Sequence, residues 1–145
     1  LTDSSAASDV YKRQRLYKDP RNINFVKDAM FGSTNEQYGT SYKSRYDDIK
    51  YQYAGKTGTS QVKRITEEER KLDLDQSQIE YKNRDHALFV AFAPYKNPRY
   101  AISVLVEHGG SGSSAAAPLA SKLIKKIIDR HKLRDQIKNG SSSLA

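Results

Sequence analysis

The 145-residue chain contains no cysteine. That excludes a disulfide framework and a thiolate metal site, and it fits a periplasm and a cytosol equally. Long apolar runs are missing too. The two longest, "HALFVAFAP" and "YAISVLV", fall far short of the roughly 20 residues a bilayer-spanning helix needs. No leader-type pattern stands at the start, and no internal repeat is visible. The first residue is Leu1 rather than Met, which reads as a piece of a longer protein.

What is present suits one domain of ordinary size with a modest core. The net charge is +8. Much of it lies late in the chain, at Lys122, Lys125, Lys126, Arg130, Lys132, Arg134 and Lys138. Such a segment can address nucleic acid or an anionic membrane. It is also what the solvated face of a terminal helix looks like. No aromatic residues interleave with these charges, as a single-strand platform requires, so no nucleic-acid partner is expected.

The segment "NINFVKDAMFGSTN" repeats Ile23, Val26 and Met30 at near-helical spacing. It predicts a helix over Ile23–Gly32 capped by Asn22 or Asn24. A polar link bends at Gly39. "IKYQYAGKTGTSQVKRI", residues 49–65, alternates and is rich in β-branched and aromatic types, which predicts a strand. A charged excursion follows, with a short helix over Glu67–Lys71. "HALFVAFAP" and "RYAISVLVEH" are apolar on both faces, as strands covered on two sides are. "PYKNPR" between them is hairpin chemistry. "GGSGSSAAAP" reads as a loop whose Pro118 opens the last helix. That helix puts Leu119, Leu123, Ile124, Ile127 and Ile128 on one stripe, and 139–145 is expected to be a flexible tail. The order predicts an α+β fold, an antiparallel sheet flanked by helices.

"YAGKTGTSQV", residues 53–62, invites a phosphate-loop reading. Gly55-Lys56-Thr57 supplies the end of that motif, but its first glycine would fall at Lys50. The loop must also feed a helix, whereas "TSQVKRI" continues as a strand. On a strand Thr57 and Thr59 share one face, and Lys56 and Gly58 the other. Two hydroxyls and an ammonium then make a carboxylate-binding edge. The free N–H groups of an edge strand can pair with an extended peptide. A Lys-Thr-Gly element of this kind is a known part of penicillin-binding proteins and β-lactamases.

With its flanks, "AGKTGTSQV" and "RDHALFVAFAPYKNPRYAISVLVEHGGSGSSAAAP", the chain resembles the C-terminal part of the transpeptidase domain of class B penicillin-binding proteins. The likeness is to the elongation type, penicillin-binding protein 2. "NFVKDAMFGSTNEQYGTS" is similar to the helix and Gly-Thr turn that precede that strand, and the resemblance runs from about Asp19 to His131. It implies a partial serine β-lactamase/transpeptidase-like fold over 15–138. The implied reaction cross-links peptidoglycan stem peptides: a serine attacks the D-Ala-D-Ala bond, and a second stem's amine takes the acyl group. β-Lactams trap the serine. By the same resemblance Lys56 supports the proton network, while Thr57 and Thr59 hold the terminal carboxylate. The Thr59 N–H is one arm of the oxyanion hole, and Gly58 keeps the strand thin. No cofactor is implied. A parent anchored in the bacterial inner membrane, with this domain in the periplasm and other cell-elongation proteins as partners, is implied as well. Related readings are a serine β-lactamase or a D,D-carboxypeptidase fragment, and a non-enzymatic basic binding module.

The family's nucleophile belongs to Ser-x-x-Lys at a helix start. "SQVK", Ser60–Lys63, has the letters but lies on the strand pattern. There i and i+3 point to opposite faces, about 10 Å apart. "STN", Ser33–Asn35, has the letters of Ser-x-Asn in the wrong segment. No nucleophile is therefore expected in this chain. It is expected upstream of Arg15, because "SSAASDVYKRQ", Ser4–Gln14, looks like a translated sequencing adapter and marks 1–14 as non-native. His86 and His108 end opposite strands without a third ligand, so no metal site is expected. His131 reads as decoration of a helix end.

Overall fold

The computed structural model describes residues 17–63 and 78–142. The first helix, α1 (Pro20–Asn35), is longer at both ends than its apolar spacing predicts. Its cap is Asp19, not Asn22 or Asn24: the Asp19 carboxylate accepts from the Arg21 N–H at 2.8 Å. Pro20 begins the helix because its fixed φ suits the first turn. Periodicity could not register that turn, whose residues are exposed.

Two short 3₁₀ turns, Tyr42–Ser44 and Ile49–Tyr51, lead into β1 (Ala54–Ser60). The strand predicted from Ile49 is thus shorter. Asp48 accepts from the Lys50 N–H at 2.9 Å and caps a turn where the alternation suggests extended chain. Residues 61–63 leave the strand. The remainder of that prediction and the short helix at Glu67–Lys71 lie outside the described residues. β2 (His86–Ala93) and β3 (Tyr100–Val106) form the expected antiparallel hairpin. Its closing turn has the Arg99 N–H donating to Ala93 O at 3.0 Å and a cis Ala93–Pro94 bond. The sheet order is β1-β2-β3, all antiparallel. The fold is α+β, an antiparallel sheet with helices.

One face of the sheet carries the core. Ala87, Phe89, Ala91 and Ala93 of β2 pack with Ala117, Ala120, Ile124 and Ile128 of α2 (Ala117–Ser142). Alanines on both sides allow close approach, and each fully buried large apolar side chain stabilises by about 1.5–3 kcal/mol. The buried stripe of α2 keeps Ile124 and Ile128 of the predicted one but is shifted from it. Leu119 and Leu123 are exposed, while Ala117, Ala120 and Ser121 are buried. The contact is made by alanines together with two isoleucines, Ile124 and Ile128.

The opposite sheet face is uncovered over its middle. Val90 is 46% exposed and Leu105 56%, so two-sided cover does not hold among the described residues. The α1 side reaches only the β1 end, through Phe31 on Tyr95 (ring centroids 4.2 Å) and Tyr95 on Phe92 (6.3 Å). The small-residue segment expected as a loop is a π-helical turn, Gly112–Ala116, running straight into α2. Pro118 does lie in the first turn of that helix. α2 continues to Ser142, so 139–142, read as tail, is helical. Adding residues to an existing helix costs far less than starting one.

Candidate active-site strand

Lys56, Thr57, Gly58 and Thr59 lie side by side on β1, an edge strand. Their partners on β2 are Val90, Phe89, Leu88 and Ala87. In a strand the N–H and C=O of one residue point to the same side, and the sides alternate. The odd-numbered carbonyls of this segment point away from β2. Tyr53 O accepts from Asn35 Nδ2 at 2.9 Å, Gly55 O from Thr34 Oγ1 at 3.5 Å, and Thr57 O from Lys56 Nζ at 2.9 Å. By that alternation the Thr59 N–H also faces the free edge.

The end of α1 occupies this edge only as far as Gly55. Thr34, fully buried, and Asn35 fasten the helix to the first half of β1. Among the described residues no element covers the second half. Lys56 is exposed and curls round to the same edge, where its ammonium donates to Thr57 O and, at 3.3 Å, to Thr57 Oγ1. Thr57 is half-buried and Thr59 exposed. Ammonium, two hydroxyls and an outward N–H thus come together in four residues.

The turn after α1 reaches the same place. Thr40 Oγ1 is 3.2 Å from Thr57 Oγ1 and 3.1 Å from Ser33 Oγ. Ser33, Thr40 and Lys56 line a cavity of ≈ 390 Å³ together with Asp28, Glu36 and Tyr38. Sequence reasoning missed Thr40 and assigned Ser33 no role. The available signal was the Gly39-Thr40 pair directly after the helix.

The letter matches are dispersed. Ser60 ends β1, and Lys63 lies in irregular chain beyond it. Ser33 and Asn35 belong to α1, with Asn35 Nδ2 also given to Phe31 O at 3.0 Å. His86 and His108 meet at the sheet corner near Ser60, rings 4.8 Å apart. Both engage the backbone there: His86 Nδ1 accepts from the His108 N–H at 2.9 Å, and His108 Nδ1 is 3.1 Å from Arg84 O. His131 lies edge-on to Tyr100.

The basic face of α2 is partly neutralised. Asp129 takes Lys125 Nζ at 2.7 Å, the Tyr51 hydroxyl at 2.6 Å and Lys50 Nζ at 3.0 Å. The Lys125 hydrogen bond foremost, then those from Tyr51 and Lys50, hold its carboxyl well below the usual carboxylate range.

Comparison with known proteins agrees with this architecture. Residues 7–125 match the penicillin binding protein transpeptidase domain, a range that starts within the segment read as adapter. The chain is 39% identical over 104 residues to peptidoglycan D,D-transpeptidase MrdA of Salmonella typhimurium, covering 72% of this chain and 16% of that protein. Against MrdA of Escherichia coli K12 the identity is 36% over 110 residues, covering 76% and 16%. Among solved structures, PBP2 of Helicobacter pylori in complex with MreC superposes with TM-score 0.61 at 34% identity, covering 75% of this chain and 17% of that one. PBP2 of Pseudomonas aeruginosa in complex with WCK 5153 gives TM-score 0.56 at 34% identity, covering 77% and 20%. The chain thus spans only about a sixth of the MrdA proteins it matches. The model match and the shared fold together establish that the chain belongs to the penicillin-binding protein transpeptidase family.

Proposed function

We propose that this chain is part of an elongation-type peptidoglycan D,D-transpeptidase, and that the free edge of β1 is one wall of its acyl-serine site. The observation that carries the reading is the convergence at Lys56–Thr59. The Lys56 ammonium meets the Thr57 carbonyl and hydroxyl on an edge that α1 leaves open, and Thr59 with its outward N–H lies two residues further along the same strand. In this reading Lys56 supplies positive field and shares in proton transfer near the serine. The Thr57 and Thr59 hydroxyls hold the terminal carboxylate of the donor stem or of a β-lactam. The Thr59 N–H stabilises the tetrahedral oxyanion, a contribution of about 3–4 kcal/mol in comparable hydrolases. Gly58 lets the acyl group lie close to the backbone.

The serine and its lysine come from elsewhere in the longer protein, as does the Ser-x-Asn element. That protein is anchored in the inner membrane with this domain in the periplasm. Among the described residues no helix is long and apolar enough to cross a membrane. The PBP2–MreC complex of H. pylori supports an elongation protein of that kind as partner. The test is labelling of the full-length protein with a fluorescent penicillin. A denaturation-resistant adduct on a serine outside this segment is expected, and no adduct would refute the reading.

A further inference from the structure

Thr57 lies on an edge strand, beside a lysine on a flexible stem. The structure surrounds it with a chain of hydroxyls that runs back into α1: Ser33 Oγ, Thr40 Oγ1, Thr57 Oγ1, at 3.1 and 3.2 Å, ending on Lys56 Nζ at 3.3 Å. The middle member is rigidly placed. Ser33 O accepts from both the N–H and the hydroxyl of Ser41, each at 3.0 Å, and Ser41 is buried. Gly39 lies so close to α1 that an added Cβ would stand within 2.6 Å of the Ser33 carbonyl carbon. The turn is therefore stapled to the helix on either side of Thr40, which is presented to Thr57.

Lys56 has donors only, so Thr57 Oγ1 accepts from it. That leaves three proton orders, one of which has Thr40 accept from both Ser33 and Thr57; the other two run in one direction along the chain. In one of those two, Thr57 donates to Thr40 and Thr40 to Ser33, so the protons run away from the edge. In the other, Ser33 donates to Thr40 and Thr40 to Thr57. Thr57 then accepts from both Thr40 and Lys56, and its own proton is free for an anion at the edge. A bound carboxylate selects this last order, and each bond in such a chain polarises the next. Asp28 and Glu36 make the helix side of the adjoining cavity anionic, which directs a carboxylate to the strand side.

We infer that Thr40 and Ser33 form a switchable hydroxyl relay that positions Thr57 as a proton donor to the carboxylate of the donor peptide or β-lactam. Thr40 is a positioning residue that sets selectivity for carboxylate-bearing ligands. This rests on the reading of β1 as the carboxylate-binding wall.

The experiment uses the full-length protein with benzylpenicillin and its methyl ester, comparing second-order acylation rates as a ratio. Thr40→Val keeps the branched shape and removes the hydroxyl. Its ratio of acid to ester rates should fall about fivefold or more, the effect of one hydrogen bond in a polar chain. Ser33→Ala should lower it less, and Thr40→Ser should restore it. Thr40 is exposed, so the unfolding midpoint should stay at the wild-type value. An unchanged ratio in Thr40→Val overturns the relay. So does an equal fall for both probes that Thr40→Ser does not restore. Wild-type protein that forms no adduct with either probe overturns the transpeptidase reading itself, and the relay with it.

Discussion

Gly55 of β1 faces Phe89 of β2 so closely that no side chain fits between them. A Cβ at Gly55 would come within 2.7 Å of Phe89 Cε1, and nearer still to Cζ. Phe89 is fully buried at the centre of the core, edge-on to Tyr53. The missing side chain is what lets the strand carrying Lys56 lie flat on its neighbour.

Gly55→Ala should therefore destabilise the protein by about 1–3 kcal/mol, the usual cost of overpacking a core. Chemical denaturation measures it. Combining Gly55→Ala with Phe89→Leu should cost less than the sum of the two, since the clash is shared. Strict additivity would show that Phe89 is not the obstacle.

Tyr53 gives a second handle on the core. Its hydroxyl donates to Ser44 O at 2.7 Å, and Ser121 Oγ donates to the same carbonyl at 2.6 Å. Burial pushes its pKa up to about 12, with the Ser121 hydrogen bond acting against the rise. A phenol whose folded pKa is raised holds its proton more tightly when folded. Its stabilising effect is full below the ordinary value near 10 and is lost as pH climbs towards 12. Stability should fall over that window, and fall less in Tyr53→Phe. At neutral pH Tyr53→Phe should cost about 1 kcal/mol, because Ser121 still satisfies the carbonyl. Equal alkaline slopes in both proteins would exclude Tyr53 as the titrating group.

How much of this was legible in the sequence differs from one residue to the next. That Lys56, Thr57 and Thr59 lie on a strand was readable because a strand's alternation is local; their roles came only from the resemblance. The hairpin was readable because its turn residues lie between two apolar runs. The Gly55–Phe89 fit and the Thr40–Thr57 bond were not. Each joins residues separated by a whole element, and no local pattern encodes which glycine a ring will lie against. The α2 stripe was right at Ile124 and Ile128 and misread at Leu119 and Leu123. Those two are more apolar than Ala117 and Ala120, but the close approach to β2 put the alanines on the buried side. Asp19 was passed over as a cap because the exposed first turn of α1 has no apolar signature.

The 145-residue chain by itself should form no covalent adduct with a fluorescent penicillin. Its Ser60 ends a strand, with Lys63 in irregular chain three residues on, where no helical turn sets one beside the other. Gel fluorescence after denaturation checks this. A stable adduct mapped to Ser60 would overturn it.

In the full-length protein Thr59→Val should slow acylation by roughly ten- to a hundredfold. It removes one hydrogen bond to a charged group, about 1.5–3 kcal/mol, and leaves the outward N–H in place. The rate constant of acylation by benzylpenicillin is the readout. No change would mean that the Thr59 hydroxyl does not hold the carboxylate.

Lys56→Ala tests the wall itself. The side chain is exposed, so the unfolding midpoint of the full-length protein should barely move. Its second-order rate of acylation by benzylpenicillin should nevertheless fall on the order of a hundredfold or more, as when a group stabilising transition-state charge is lost. It should fall further than in Thr59→Val. A folded Lys56→Ala protein that acylates at the wild-type rate would contradict the assignment of β1 as the catalytic wall.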